Sequence, residues 1–198
     1  MRQNPVVPAL RDFAALYPAV ELAVGIGDHA VDLIAEGIDC AVRIGKLHDS
    51  SLVAKQIGML KMLTCASPEY LALHGTPRDL DDLAQHRAVN YFVGRERKIL
   101  EWQFIRGAKT VPIKLRSGLL VNDSDALLAG ALAGFGLLQA LELTVAEQLH
   151  SGMLISVLQD YPPVSKSVWL LYPHRQHLPP QVRAFIEWIS MQFGASAH

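Results

Sequence analysis

Residues 31–58 constrain the fold of this chain more than any other stretch. They read VDLIAEGIDCAVRIGKLHDSSLVAKQIG, with glycines at positions 37, 45 and 58. The first part predicts a short helix that Asp28 caps, with Asp32 adding a carboxylate to its first turn. Gly37 stands where a helix commonly ends in the left-handed conformation. The stretch therefore predicts a helix, a tight turn and a following strand.

That strand is predicted over residues 38–44, which carry almost no charge until Arg43. Such a run is typical of a strand that is covered on both faces. Gly45 then allows the backbone to turn away. Because ligands of open α/β sheets bind at the carboxyl ends of strands, Arg43, Ile44 and Gly45 are the first candidate binding residues.

The segment before this stretch predicts the same alternation of elements. Apolar residues of 5–17 recur at helical spacing, and Pro18 ends the helix. Residues 20–26 then alternate apolar and other side chains, which is the period of a strand. An order of helix, strand, helix and strand favours a parallel sheet flanked by helices.

The rest of the chain predicts a second lobe inserted into the first. Helices are predicted over 67–75, 126–133, 142–150 and from Pro179 onward, and strands within 52–66 on either side of Gly58 and over 88–93, 101–105, 114–121, 137–140, 154–158 and 168–172. We expect one lobe to comprise residues 1–64 plus 167–198 and the other residues 65–166. Two chain crossings would then join them.

Composition narrows the functional classes. The net charge is −1, which offers no global electrostatic attraction for nucleic acid. No apolar run reaches the ~20 residues that span a bilayer, and the N-terminal residues show no signal peptide. Cys40 and Cys65 lie in apolar runs and are predicted to be buried free thiols in a reducing compartment. We expect a cytoplasmic protein without a membrane partner.

Motifs for catalysis or cofactor binding are missing from the sequence. It contains no nucleophile elbow, P-loop, dinucleotide fingerprint or HExxH. His174 and His177 form an H-x-x-H, which is weak evidence for a metal without a third ligand. We therefore predict no cofactor, no metal and no enzymatic activity.

Several motifs in one register carry a family resemblance. Residues 31–45 and 47–58 fit a D-L-x-x-E-G-x-D-x-A-[IV]-R-x-G core followed by D-S-S-L. The later segments that agree in order and spacing are SPEYLALHGTPRDLDDLAQH, the pair Trp102 and Phe104, VNDSDALLAGALAGFGLLQ and WLLYPHRQHLPPQVRAFIEWI. Over residues 6–195 the chain resembles the effector-binding domain of LysR-type transcriptional regulators.

The resemblance implies an α/β fold of the type 2 periplasmic-binding-protein-like class, with two Rossmann-like lobes and a small-molecule cleft between them. It also implies a homodimer formed through this domain. The family's N-terminal winged helix-turn-helix is not matched, so these residues are not expected to bind DNA directly. Met1 to Pro5 is too short for the family's first strand, which leads us to expect a truncated or shortened domain.

Nine residues are candidates for effector binding: Arg43, Ile44, Gly45, Asn90, Tyr91, Phe92, Asn122, Asp123 and Ser124. Arg43 can bind a carboxylate effector or form a structural ion pair with Asp39 or Asp49, and the second reading is favoured. Residues 122–124 open a helix, where an anion or simple capping explains them equally well. Residues 90–92 resemble the family's effector-contacting segment, although Tyr91 and Phe92 can equally be core residues.

We therefore expect an effector-sensing domain whose ligand, an organic or aromatic acid, binds between the lobes and alters the conformation of the regulator. The alternatives are a stand-alone cytoplasmic binding protein, a small enzyme on the same fold, or a non-functional fragment.

Overall fold

The computed structural model describes residues 6–27, 32–47, 51–174 and 178–195. The helices are α1 Val6–Leu16, α2 Pro68–His74, α3 Ser124–Leu132, α4 Glu142–His150 and α5 Pro180–Ala195, with a 3₁₀ turn at Asp82–Gln85. The strands are β1 Ala41–Ile44, β2 Leu52–Leu60, β3 Met62–Ala66, β4 Arg87–Val93, β5 Lys98–Ile99, β6 Trp102–Arg106, β7 Lys109–Ile113, β8 Arg116–Val121, β9 Leu138–Leu141, β10 Ile155–Val157 and β11 Lys166–Pro173.

The chain divides into two compact units. Residues 61–164 form the inserted unit, and the described residues of 4–60 and 165–198 form the terminal unit. The lobe boundaries expected from the sequence, after residue 64 and before residue 167, stay a prediction.

The terminal unit is a three-stranded antiparallel sheet with two helices. Its strand order is β1-β11-β2, with Ala41 opposite Leu171 and an irregularity between Val168 and Trp169. Phe13 of α1 is fully buried, and its ring packs against Trp188 of α5 with the ring centroids 5.3 Å apart. The predicted apolar stripe of α5 is confirmed, since Val182, Phe185, Ile186, Ile189 and Phe193 all join this core.

The strand predicted over residues 20–26 is not present. The segment has no strand assignment, and Leu22, Val24 and Ile26 are 36%, 53% and 50% exposed. Alternation makes a strand only where a neighbour supplies backbone partners. None of the strands in the described part of the chain pairs with this segment.

The helix predicted after it is only a turn in the described residues, over 33–37. Asp32 Oδ1 accepts hydrogen bonds from the backbone N–H groups of Ile34 and Ala35, both at 3.1 Å, while Asp28 lies outside the described residues. Gly37 has φ +66°, and the N–H of Ile38 donates to Leu33 O at 2.8 Å. This is the helix-ending pattern that Gly37 predicted, attached to a single turn.

The strand predicted over 38–44 is also shorter and more exposed than expected. It begins at Ala41, none of its four residues is fully buried, and Ile44 is 49% exposed. Its partner β11 runs antiparallel, so the parallel sheet expected for this part of the chain is wrong.

The inserted unit contains a mixed sheet. Strands β10, β3 and β9 are antiparallel neighbours, whereas β4 and β8 run parallel. A parallel bridge between Ala88 and Leu137 joins the two groups, with Leu137 N donating to Arg87 O at 2.8 Å. The strand β7, which pairs with β6 in a hairpin, was not predicted.

Two apolar clusters cover the inserted unit's sheet. The aromatic cluster is centred on Trp102, Phe104 and Tyr70, with Leu137, Val157 and others. The helix cluster joins strand residues such as Val89 and Leu138 to α3 and α4. Neighbouring residues of a strand point to opposite faces, so β3 and β4 contribute to both clusters, through Ala66 and Cys65 and through Ala88 and Val89.

Candidate functional site

The carboxyl edge of β4 and β8 brings two of the predicted groups together. The parallel register places Tyr91 opposite Val121, so both strands end near the start of α3. The Tyr91 hydroxyl donates to Asn122 O at 2.9 Å. A strand edge followed by a helix N-terminus is where α/β proteins commonly bind ligands.

Asp123 is the N-cap of α3. Its Oδ1 accepts the N–H groups of Asp125 at 3.0 Å and Ala126 at 2.9 Å. The capping explanation for this carboxylate is therefore confirmed. Ser124 is the first residue of the helix, where the helix dipole favours negative charge.

Asn90 and Phe92 flank Tyr91 on β4. Asn90 is 1% exposed, and its Nδ2 donates to Leu115 O at 3.2 Å and to Ser117 Oγ at 2.8 Å. Phe92 is partly buried and lies under the guanidinium of Arg97, whose Cζ is 6.0 Å from the ring centroid. Asn90 thus anchors the segment before β8, while Phe92 lies near the turn after β4.

Arg43, Ile44 and Gly45 lie in the terminal unit, at the end of β1. Gly45 has φ +101°, its N–H donates to Ser167 O at 2.8 Å, and its carbonyl accepts the Trp169 indole N–H at 3.0 Å. Both backbone groups of Gly45 are therefore engaged by β11. Asp49, one suggested partner of Arg43, lies outside the described residues.

A pair of lysines at the same strand ends was not predicted. The pKa of Lys166 on β11 is lowered by burial and by the positive charge of Lys46, which follows Gly45. The two lysines are far apart in sequence, and only the β1–β11 register brings them close. No local motif signals this pair.

Both cysteines are free thiols, as predicted, but only Cys65 is buried, whereas Cys40 is partly exposed. Burial raises the pKa of Cys65 to about 12. Burial, together with the charge of Asp39, raises the pKa of Cys40 to about 11. Both thiols are protonated near neutral pH and are therefore poor nucleophiles and metal ligands.

A metal site finds no support among the described residues, which contain no group of three or more His, Cys, Asp or Glu side chains suited to a metal ion. His177 of the H-x-x-H lies outside them. Two surface cavities of about 450 and 360 Å³ lie in the inserted unit. The nine predicted site residues do not line either of them.

Comparison with known proteins decides the family. The model of the LysR substrate binding domain matches residues 1–194. This chain belongs to the LysR substrate-binding domain family. It is therefore an effector-binding domain of the LysR type, and the functional class expected from the sequence is confirmed.

Curated relatives of this LysR domain are transcriptional regulators, which in general are not enzymes. An HTH-type transcriptional repressor of Pseudomonas aeruginosa (strain UCBPP-PA14) is 33% identical over 188 residues, 95% of this chain and 59% of the relative. The regulator YhjC of Escherichia coli (strain K12) is 35% identical over 187 residues, 93% of this chain and 62% of the relative. The chain thus spans about three fifths of these relatives.

Solved structures of the same family confirm the fold class, type 2 periplasmic-binding-protein-like α/β. The regulatory domain of CrgA from Neisseria meningitidis matches with a TM-score of 0.78 and 26% identity, over 96% of this chain and 92% of that one. Full-length AphB, a virulence activator of Vibrio cholerae, matches with a TM-score of 0.78 and 26% identity, over 96% and 64%. None of the helices that the structure describes has the length and apolar character to cross a membrane.

Proposed function

We propose that this LysR domain binds a small organic or aromatic acid as the effector of a cytoplasmic, homodimeric transcriptional regulator. The binding residues proposed are Arg43, Ile44, Gly45, Asn90, Tyr91, Phe92, Asn122, Asp123 and Ser124, together with Lys46 and Lys166. The ligand acts only through its different affinities for two states of the regulator. Binding between the two lobes stays a prediction.

One observation carries the acid specificity of this proposal. The Gly45 N–H donates to Ser167 O at 2.8 Å, which brings the adjacent Lys46 and Lys166 together beside the turn that follows Arg43. Burial and the charge of Lys46 both lower the pKa of Lys166. Two like charges at a partly buried position destabilise each other, and an anion bound there relieves that repulsion. The start of α3 in the inserted unit offers a second location that favours negative charge.

Asp123 limits what the α3 terminus contributes. Its carboxylate accepts the N–H groups of Asp125 and Ala126, so these donors are already used and the terminus already carries a negative charge. We therefore assign the stronger attraction for an acid to the lysine pair.

A titration tests this assignment. Benzoate is compared with methyl benzoate, and succinate with dimethyl succinate. Each compound is titrated by calorimetry and by thermal shift. We expect at least one acid to raise the melting temperature while its ester does not, because the ester lacks the charge that the lysines attract. We expect Lys46→Gln to weaken binding of that acid about tenfold, equivalent to 1.4 kcal/mol.

Lys109→Gln on β7 is the matched control, since it removes the same charge from an exposed position of the inserted unit. It should leave binding unchanged. Esters that stabilise the protein as well as the acids do, or a Lys46→Gln variant that keeps full affinity, would show the acid assignment to be wrong. Sedimentation of the regulator at several concentrations tests the homodimer.

A further inference from the structure

Three polar side chains form a row across neighbouring strands of the inserted unit. Thr64 on β3 lies directly opposite Gln139 on β9. On the other side of β9, Leu137 bridges to Ala88 of β4 in parallel. Gln139 lies two residues after Leu137, and Asn90 lies two residues after Ala88. Side chains two residues apart on a strand share a face, so Gln139 and Asn90 follow Leu137 and Ala88 on the same face of the sheet. We call Thr64, Gln139 and Asn90 the polar row.

The row points away from α3 and α4. Its sequence neighbours Cys65, Leu138, Ala140 and Val89 all belong to the helix cluster. Since adjacent residues of a strand alternate between faces, all three row residues point to the opposite face. That is the face of the aromatic cluster, to which Ala66, Leu137 and Ala88 contribute from the same strands.

Each member of the row has a buried polar atom without a hydrogen-bond partner. In the described part of the chain, four buried side-chain polar atoms lack a partner, and three of them are Thr64 Oγ1, Gln139 Nε2 and Asn90 Oδ1. Thr64 and Asn90 are each 1% exposed. Buried polar atoms are almost always hydrogen-bonded, to protein, water or a ligand. Their concentration in one row indicates a polar occupant.

The chemistry of that occupant follows from the atoms that face it. The hydrogen bonds of Asn90 Nδ2 to Leu115 O and Ser117 Oγ orient the amide, so its Oδ1 remains as an acceptor. Gln139 Nε2 is a donor, and the Thr64 hydroxyl can be either. The occupant must therefore donate to one atom and accept from another. A carboxylate only accepts, and it would face the Asn90 oxygen unfavourably.

We propose that the polar row binds the uncharged head of a small molecule, of the class of primary amides. Gln139, the only partly exposed member of the row, marks the side of entry. The aromatic cluster on the same face supplies apolar surroundings for the rest of the molecule, as is usual in ligand sites. Because the Asn90 amide group has only an acceptor to offer, we assign Asn90 to this site and not to the acid site proposed above. The polar row uses no cation, so it does not depend on the lysine pair.

Two threonine variants test whether the Thr64 hydroxyl is unpartnered in the ligand-free protein. Thr64→Val removes a buried hydroxyl without a partner, so we expect the melting temperature to rise by about 2–4 °C. Thr144→Val is the matched control, because its hydroxyl donates to Leu141 O at 2.8 Å. It should lower the melting temperature. A decrease in both variants would overturn the proposal.

A binding experiment tests the ligand class. Propionamide is titrated into the ¹⁵N-labelled 198-residue chain and followed by NMR, with propionate as the charged comparison. We expect saturable shifts of the Gln139 side-chain amide and the β3 and β9 backbone with propionamide only. Thr64→Val and Gln139→Leu should abolish them, and Thr144→Val should not.

Equal binding of propionamide to Thr64→Val, or stronger binding of propionate at these resonances, would overturn the proposal. So would a crystal structure in which one ordered water bridges the three atoms and persists with propionamide present. Lys46→Gln should leave propionamide binding unchanged, which separates a failure here from a failure of the acid site.

Discussion

The elements predicted from the sequence match the structure more closely in the inserted unit than in the terminal unit. In the inserted unit, the helices predicted over 67–75 and 126–133 are both present. Ser67 caps α2, accepting the Tyr70 N–H at 3.3 Å, and Asp123 caps α3. In the terminal unit, a predicted helix is a turn over 33–37 and a predicted strand over 20–26 is unpaired in the described structure.

The difference shows which signals are sufficient by themselves. A cap acts within three residues, so a serine or aspartate in the right place already specifies a helix start. Alternation of apolar and polar residues indicates only which side chains would share a face if the segment were a strand. The strand itself requires a neighbour whose backbone completes the hydrogen bonds.

The largest expected contrast between the units comes from two glycines. A Cβ on Gly118 of β8 would overlap Phe135 O, whereas a Cβ on Gly25 meets nothing within 4 Å. We expect Gly118→Ala to reduce the free energy of unfolding by about 3 kcal/mol, because packed backbone must move. Gly25→Ala should change it by less than about 0.5 kcal/mol. Urea unfolding followed by circular dichroism measures both, and equal losses would remove the contrast.

Two valines provide the next test. Val89 is 1% exposed in the helix cluster, and Val24 is 53% exposed in the unpaired segment. Val89→Ala should cost about 2 kcal/mol, since it leaves a cavity in packed surroundings. Val24→Ala should cost less than about 0.5 kcal/mol. A comparable loss at Val24 in the same unfolding measurement would mean that residues 20–26 are paired in solution.

The smallest effect expected is a pH dependence that belongs to the inserted unit. His86 is 4% exposed, and its Nδ1 lies 3.2 Å from the Tyr70 hydroxyl. Burial lowers its pKa, and the nearby His74 lowers it further, whereas Asp82 acts in the opposite direction. In the unfolded chain the imidazole takes up a proton near pH 6.5. In the folded protein it does so only at lower pH.

Folding stability should therefore fall as the pH drops through about 6.5 and level off below the folded pKa. Urea unfolding at a series of pH values measures this slope. Hydrogen exchange should show earlier opening of β4 than of β1 at the acidic end. His86→Gln should flatten the slope, and an unchanged slope would place its origin elsewhere.

The candidate site was predicted only in parts. Residues 90–92 were identified from the family resemblance and residues 122–124 from a helix start. Both were candidates for effector binding, but no local pattern showed that they are neighbours. The parallel register of β4 and β8 does so, and it allows Tyr91 to bond with Asn122. The roles proposed for these residues in ligand binding stay predictions.

Other groups could not be found from local patterns. Lys46 and Lys166 meet through β1 and β11, and Thr64, Gln139 and Asn90 meet through three strands. Each is an ordinary residue in its own segment. Their significance depends on charge or on missing hydrogen bonds, which are properties of the surroundings.

By itself, the sequence determined the family, the fold class and most helix boundaries, because motif spacing, caps and helical periodicity act over short distances. The stretch of residues 31–58 carried the family signature even though its helix is a turn and its first strand is short. Only the tertiary structure decided which strands pair, in which direction, and which distant polar groups become neighbours. Those outcomes depend on partners far along the chain, and a local sequence pattern does not indicate which partners these are.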